Sequence, residues 1–241
     1  MKIHDFTFAF NAINGNCETG GVCYIIAAGK MSELDKSILK SSEFHDNDLI
    51  IAADGGLVYF FECFESKAPD VLIGDLDSLD LSGLNFADKL SRTEIIRHPV
   101  EKDDTDMMLA IKLGFERGFR RFVVFGGLEG AFYHTVANIQ SFKYIADRGG
   151  IVASVGSDAV SLAFSDNKIT VSKIRPETYK FSVFSLSEKS YEVFIKGGKY
   201  SLEGVEINSS FPVGAGNYRN AGGNVIIGCK KGILLTVFNL S

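Results

Sequence analysis

Between residues 22 and 155, short runs of β-type apolar residues alternate with stretches of helical period. The runs are Val22 to Ala28, Leu49 to Ala52, Val71 to Ile73, Glu94 to Arg97, Arg121 to Phe125 and Ile151 to Val155. Between them, Ser32 to Lys40, Gly56 to Phe64, Asp104 to Arg117 and Tyr133 to Asp147 read as helices, the third with Met108, Ile111 and Phe115 on one face. Strands that alternate with helices are the pattern of a mainly parallel, helix-covered sheet. The expectation is a Rossmann-like, three-layer α/β domain over residues 21–157.

After residue 157 the pattern changes. Segments 159–164, 168–173, 180–186, 191–196, 199–207, 223–229 and 232–238 are short and rich in Val, Ile, Phe and Tyr, with turn formers such as Gly197-Gly198 between them. They predict an all-β sandwich domain over residues 158–241. Residues 1–20 read as an irregular or edge-strand extension with no assigned function.

Composition narrows the function classes. Hydrophobic residues at 46% and charged residues at 23% are ordinary for a folded globular chain. No run approaches the ~18 apolar residues of a membrane span, and no signal peptide is recognisable, so a cytoplasmic location is expected. Cys17, Cys23, Cys63 and Cys229 form no CxxC pair, which leaves reduced structural thiols as the default. A net charge of −5 argues against nucleic acid, whose backbone needs a basic face. The acidic residues are clustered, however: Asp70, Asp75, Asp77 and Asp80 in one stretch, and Asp103, Asp104 and Asp106 in another.

Ligands of parallel sheets bind beyond the carboxyl ends of the strands, so the residues following each run carry the interest. Asp54-Gly55-Gly56 follows the second run; its glycines let a ligand approach the backbone, and Asp54 is either a ligand-facing group or a helix cap. Gly74-Asp75-Leu76-Asp77-Ser78 follows the third. In an extended segment Asp75 and Asp77 would share a face, an arrangement that a cation such as Mg²⁺ relieves, whereas the alternative is a solvated acidic turn. Glu101 to Asp106 opens the third helix, with Asp103 and Asp106 expected on one face of its first turn and Lys102 within reach of a phosphate; helix capping explains Asp104 and Thr105 as well. Gly126 to Gly130 is a glycine loop before the fourth helix, which carries His134 and Asn138 four apart. Neither GxxxxGK[ST] nor GxGxxG occurs, which argues against P-loop and dinucleotide enzymes.

Taken in order, Ala53 to Gly56, Pro69 to Ser78, His98 to Asp106 and Gly126 to Ile139 resemble the thiamine pyrophosphokinase family, which shows the same blocks in the same order. Phe184 to Leu186, Gly198 to Glu203 and Lys231 to Leu235 are similar to that family's thiamine-binding β domain. The resemblance implies transfer of a diphosphate from ATP to the hydroxyl of thiamine, releasing AMP, by a homodimer with active sites between subunits. It implies Mg²⁺ held by Asp75, Asp77, Asp103 and Asp106, with Asp54 supporting the assembly or orienting the hydroxyl and Lys102 offsetting negative charge. Gly55, Gly56, Ser78, Thr105, Gly127, His134 and Asn138 would adjoin the nucleotide, and Tyr200 and Asn217 the thiamine. Three positions depart from the family pattern: Ala131 and Tyr133 stand where an arginine and an aspartate are usual, and Gly216 precedes Asn217 where a serine is usual. The departure at Ala131 and Tyr133 keeps a second reading open, a relative that binds thiamine or nucleotide with altered substrate or impaired turnover. A phosphatase of the haloacid dehalogenase type, which also places an aspartate pair after an apolar strand, is a third.

Overall fold

The structure, a computed structural model, describes residues 20–77, 79, 86–101, 103–156, 158–171, 179–219 and 223–239. Residues 1–19 of the expected extension, Ser78 and Lys102 lie outside them. The described residues divide into two compact units, 20–141 with 154–156 and 142–153 with 158–239.

The first unit contains β1 (Cys23–Ile26), α1 (Glu33–Lys40), β2 (Leu49–Ala53), α2 (Gly56–Cys63), β3 (Val71–Gly74), α3 (Phe86–Lys89), β4 (Glu94–Arg97), α4 (Asp106–Glu116) and β5 (Arg121–Phe125). The five strands pair in parallel in the order β5-β1-β2-β3-β4. β2 and β3 are buried at every position, which is why their sequences are continuous apolar runs rather than alternating ones. β1, β2 and β3 advance one way across the sheet, and the β4 to β5 connection returns. Right-handed crossovers therefore put α1 and α2 on one face and α4 on the other. Close packing fixes some identities: a Cβ on Gly56 would lie 2.0 Å from the Ile26 carbonyl oxygen, so only glycine lets α2 start against β1. α1 starts at a capping box, in which Ser32 Oγ accepts from the Asp35 N–H and Asp35 Oδ2 accepts from the Ser32 N–H at 2.7 Å.

α5 (Phe132–Asp147) and β6 (Ile151–Val155) are each divided between the units. The second unit adds β7 (Ala159–Ser165), β8 (Lys168–Val171), β9 (Lys180–Ser185), β10 (Lys189–Lys196), β11 (Leu202–Asn208), β12 (Asn217–Tyr218), β13 (Val225–Gly228) and β14 (Ile233–Asn239). Two antiparallel sets form, β12-β9-β14-β7 and β11-β10-β13-β8. β9 alternates exposed and buried positions, with Phe181, Val183 and Ser185 turned inward. A single apolar cluster fills the space between the sets, including Phe164, Ile169, Phe181, Ile195, Ile227 and Phe238. Phe181 and Phe238 stack with ring centroids 5.8 Å apart. The expected all-β pattern is observed strand for strand, with β12 added. No helix among the described residues is long and apolar enough to cross a membrane.

Candidate active site

The carboxyl ends of β2 and β3 and the amino end of α4 converge on one point. Asp54 leaves β2 with φ 46°, in the left-handed region, while its N–H donates to the Ile73 carbonyl at 2.9 Å. Asparagine and aspartate enter that region at less cost than other side chains. Asp54 does not cap α2: Gly55 occupies the N-cap position, and no side chain bonds the helix end there. Gly74, the last residue of β3, has φ 150°. A Cβ placed on it would lie 3.1 Å from Asp54 Cβ and 3.3 Å from Asp106 Oδ1. Glycine at 74 thus lets these two carboxylate residues pack close together at the strand ends, the place where the crevice of such sheets takes its ligands.

The next loop corrects one expectation. Asp75 and Asp77 do not share the face of an extended segment: Leu76 between them has φ 62° and is buried, and the Asp77 N–H donates to Asp75 Oδ1 at 3.1 Å. Burial of the Leu76 side chain turns the backbone, and the Asp75 carboxylate closes the turn on itself. Asp77 is exposed, Asp75 half-buried. Asp70, from the same acidic stretch, stands at the opposite end of β3 and accepts the Ile50 N–H at 2.7 Å, which is a structural role.

A second correction concerns α4. The helix starts at Asp106, with Thr105 as N-cap accepting the Met108 N–H, so Asp103 precedes the helix and is not in its first turn. Threonine wins the cap because its hydroxyl reaches the third amide, which leaves Asp106 as the first helical residue where a carboxylate suits the dipole. Asp104 is taken up by Lys112. Among the described residues no three or more His, Cys, Asp and Glu side chains are arranged to hold an ion by themselves. The donors near the crevice are carboxylate oxygens, the chemistry of Mg²⁺, which uses one or two protein carboxylates and completes its shell with water and substrate phosphate.

In the glycine loop, Asn138 Nδ2 donates to the Gly127 carbonyl and the Thr135 hydroxyl to that of Leu128 at 3.1 Å. Asn138 therefore shapes the loop from within. Ala131, Phe132, Tyr133 and His134 are exposed, and the Tyr133 and His134 rings lie 4.3 Å apart. Arg121 is at the amino end of β5, bonded to the Gly20 and Gly21 carbonyls, far along the strand from the crevice end.

In the sandwich, Asn217 and Tyr200 do come together. Asn217 is buried, accepts the Tyr200 N–H at 3.0 Å and donates to the Tyr200 carbonyl at 2.7 Å, so its amide clamps the loop that presents the exposed Tyr200 ring. Sequence reading missed Tyr218, which is also exposed; Lys199 Nζ lies within 5.8 Å of both tyrosine ring centroids. It missed Gly74 as well, although a glycine ending an apolar strand beside two aspartates is the signal that marks it.

Residues 41–151 match the family described as thiamin pyrophosphokinase, catalytic domain. Over those residues the chain is similar to the catalytic domain of thiamin pyrophosphokinases. The matched residues include the crevice, the acidic turn, the start of α4 and the glycine loop. Solved thiamin pyrophosphokinases share the fold over nearly their full length. The thiamine pyrophosphokinase of Bacillus subtilis is 20% identical with a TM-score of 0.77, over 92% of this chain and 99% of that one. That of Geobacillus thermodenitrificans is 21% identical with a TM-score of 0.73, over 90% and 97%. The Candida albicans protein is 17% identical with a TM-score of 0.71, over 92% and 89%. A search among curated proteins returns no match.

Proposed function

We propose that the chain transfers the terminal diphosphate of ATP to the hydroxyl of thiamine, with Mg²⁺, giving thiamine diphosphate and AMP. The observation that carries this reading is the meeting of Asp54 and Asp106 at Gly74, at the carboxyl ends of parallel strands, within residues that match the thiamin pyrophosphokinase catalytic domain. In the reaction the thiamine oxygen forms a bond to the β-phosphorus, the bond from that phosphorus to the α-phosphate bridging oxygen breaks, and AMP leaves with the electron pair. When bound, Mg²⁺ supplies charge neutralisation at the phosphate oxygens. Asp75, Asp77, Asp103 and Asp106 would hold it, and Asp54 would support the assembly or orient the hydroxyl and accept its proton. Gly55 and Gly56 would adjoin the nucleotide through the backbone that opens α2, with the missing Cβ of Gly56 taken up by packing on β1, and Ser78, Thr105, Gly127, His134 and Asn138 would adjoin it as well. Tyr200 offers an exposed ring to thiamine, with Asn217 holding its backbone. The reading includes a cytoplasmic homodimer; exposed Phe132, Tyr133 and Val136 on α5 suit self-association.

Ala131 and Tyr133, both exposed at the start of α5, favour one rival, a relative that binds without turnover. Purified protein supplied with ATP, Mg²⁺ and thiamine is expected to make thiamine diphosphate and AMP in equal amounts. Asp75→Asn or Asp106→Asn should lower turnover at least about 100-fold at an unchanged melting temperature. Tight binding of both substrates with no product would support the rival instead.

A further inference from the structure

Polyphosphate bound beside the carboxylates brings negative charge that a side-chain cation offsets, and several described cations of this unit are already engaged or lie at the other end of the sheet. Lys112 pairs with Asp104, and Arg117 at the far end of α4 pairs with Glu94. Arg120 donates to the Phe115 and Phe119 carbonyls, and Arg121 to those of Gly20 and Gly21. The first turn of α5 supplies no arginine or lysine, since it reads Phe132, Tyr133, His134 and Thr135.

Arg97 is different. It is the last residue of β4, at the carboxyl end of the edge strand, exposed and in no ion pair with a described residue. Its Cα lies opposite that of Gly74, and the adjoining His98 N–H donates to the Gly74 carbonyl at 2.9 Å. The backbone at Arg97 is thus pinned against the residue beside which Asp54 and Asp106 meet. Neighbouring strands are about 4.8 Å apart, a gap that an arginine side chain spans easily.

We propose that Arg97 is a phosphate-binding residue, its guanidinium gripping the β- and γ-phosphates of the nucleotide from the edge-strand side of the crevice. A guanidinium can take two phosphate oxygens at once and stays charged at any working pH. The proposal rests on the diphosphotransferase reading above, because it needs a polyphosphate in the crevice. The plainer account of Arg97 is a charge that keeps an open sheet edge from pairing with another chain. That account predicts no dependence of Arg97 on the ligand.

Calorimetric titration in the presence of Mg²⁺ separates the two, using ATP and AMP as probes. Arg97→Met is expected to weaken ATP binding roughly 10- to 100-fold, as loss of a charged hydrogen-bond donor does. It should leave AMP binding within about twofold and the melting temperature unchanged, and Arg97→Lys should fall between. ATP affinity equal to wild type in Arg97→Met overturns the assignment of Arg97 while leaving diphosphate transfer standing. Wild-type protein that binds no ATP overturns both. An equal loss for ATP and AMP also sinks it, because the grip would then not be on the β- and γ-phosphates.

Discussion

Gly74 carries more of the site than any charged residue. Its φ of 150° and the contacts of 3.1 and 3.3 Å awaiting a Cβ make Gly74→Ala strained as well as obstructive. The substitution should destabilise the fold by about 1–3 kcal/mol and remove most activity, readable by thermal melts and a turnover assay. Asp35 offers a test of a different kind. It is fully buried, and burial is the chief cause that raises its carboxyl above the usual range, with the charge of Glu129 adding to it. Since the folded protein holds this proton more tightly than the unfolded chain, the group's contribution to stability is complete at low pH. It is lost as pH rises through the raised value. Asp35→Asn keeps an acceptor for the Ser32 N–H and removes the charge, so it should melt higher than wild type at pH 7, the gap closing toward pH ~4. A gap that widens on acidification would contradict the burial argument.

Elements were more legible than the hydrogen bonds that finish them. β1, β2, β3 and β5 were readable because buried parallel strands are short apolar runs between turn residues, and the mostly exposed β4 by its Ile95-Ile96 pair. β12, two residues long, and α3, four, are too short to show a period. The two local errors share a cause: spacing was read as if the segment were regular. Leu76 is buried in a backbone that is not extended, and the helix starts after Thr105 rather than before Asp103, so the aspartates land elsewhere. Asp70 and Asn138 could not be assigned from spacing because their partners, Ile50 and Gly127, are brought near only by the fold. At this scale Thr105→Ala should cost about 1 kcal/mol in a denaturant titration, and Thr105→Ser should restore most of it. Because the cap aims Asp106, the alanine variant is also expected to lose turnover, which a purely structural cap would not do.

For the molecule as a whole, the pattern switch near residue 157 corresponds to the change from the parallel strands β1–β5 to the antiparallel strands β7–β14, while the compact units divide α5 and β6 between them. The sandwich depends on one cluster, so Phe238→Ala, at a position with no exposure, should cost about 3–5 kcal/mol. The crevice belongs to the other unit, and its acidic residues are legible in sequence because each ends a strand or starts a helix. What the sequence withheld was which of them face a common point. That convergence, within residues that match the thiamin pyrophosphokinase catalytic domain, is the basis for proposing diphosphate transfer. The most direct measurement follows ATP labelled separately at its β- and γ-phosphates, with Mg²⁺ and thiamine, to the products. The account predicts both labels in thiamine diphosphate and unlabelled AMP, one for one. Label released as inorganic phosphate with ADP, or no label joined to thiamine at all, would contradict it.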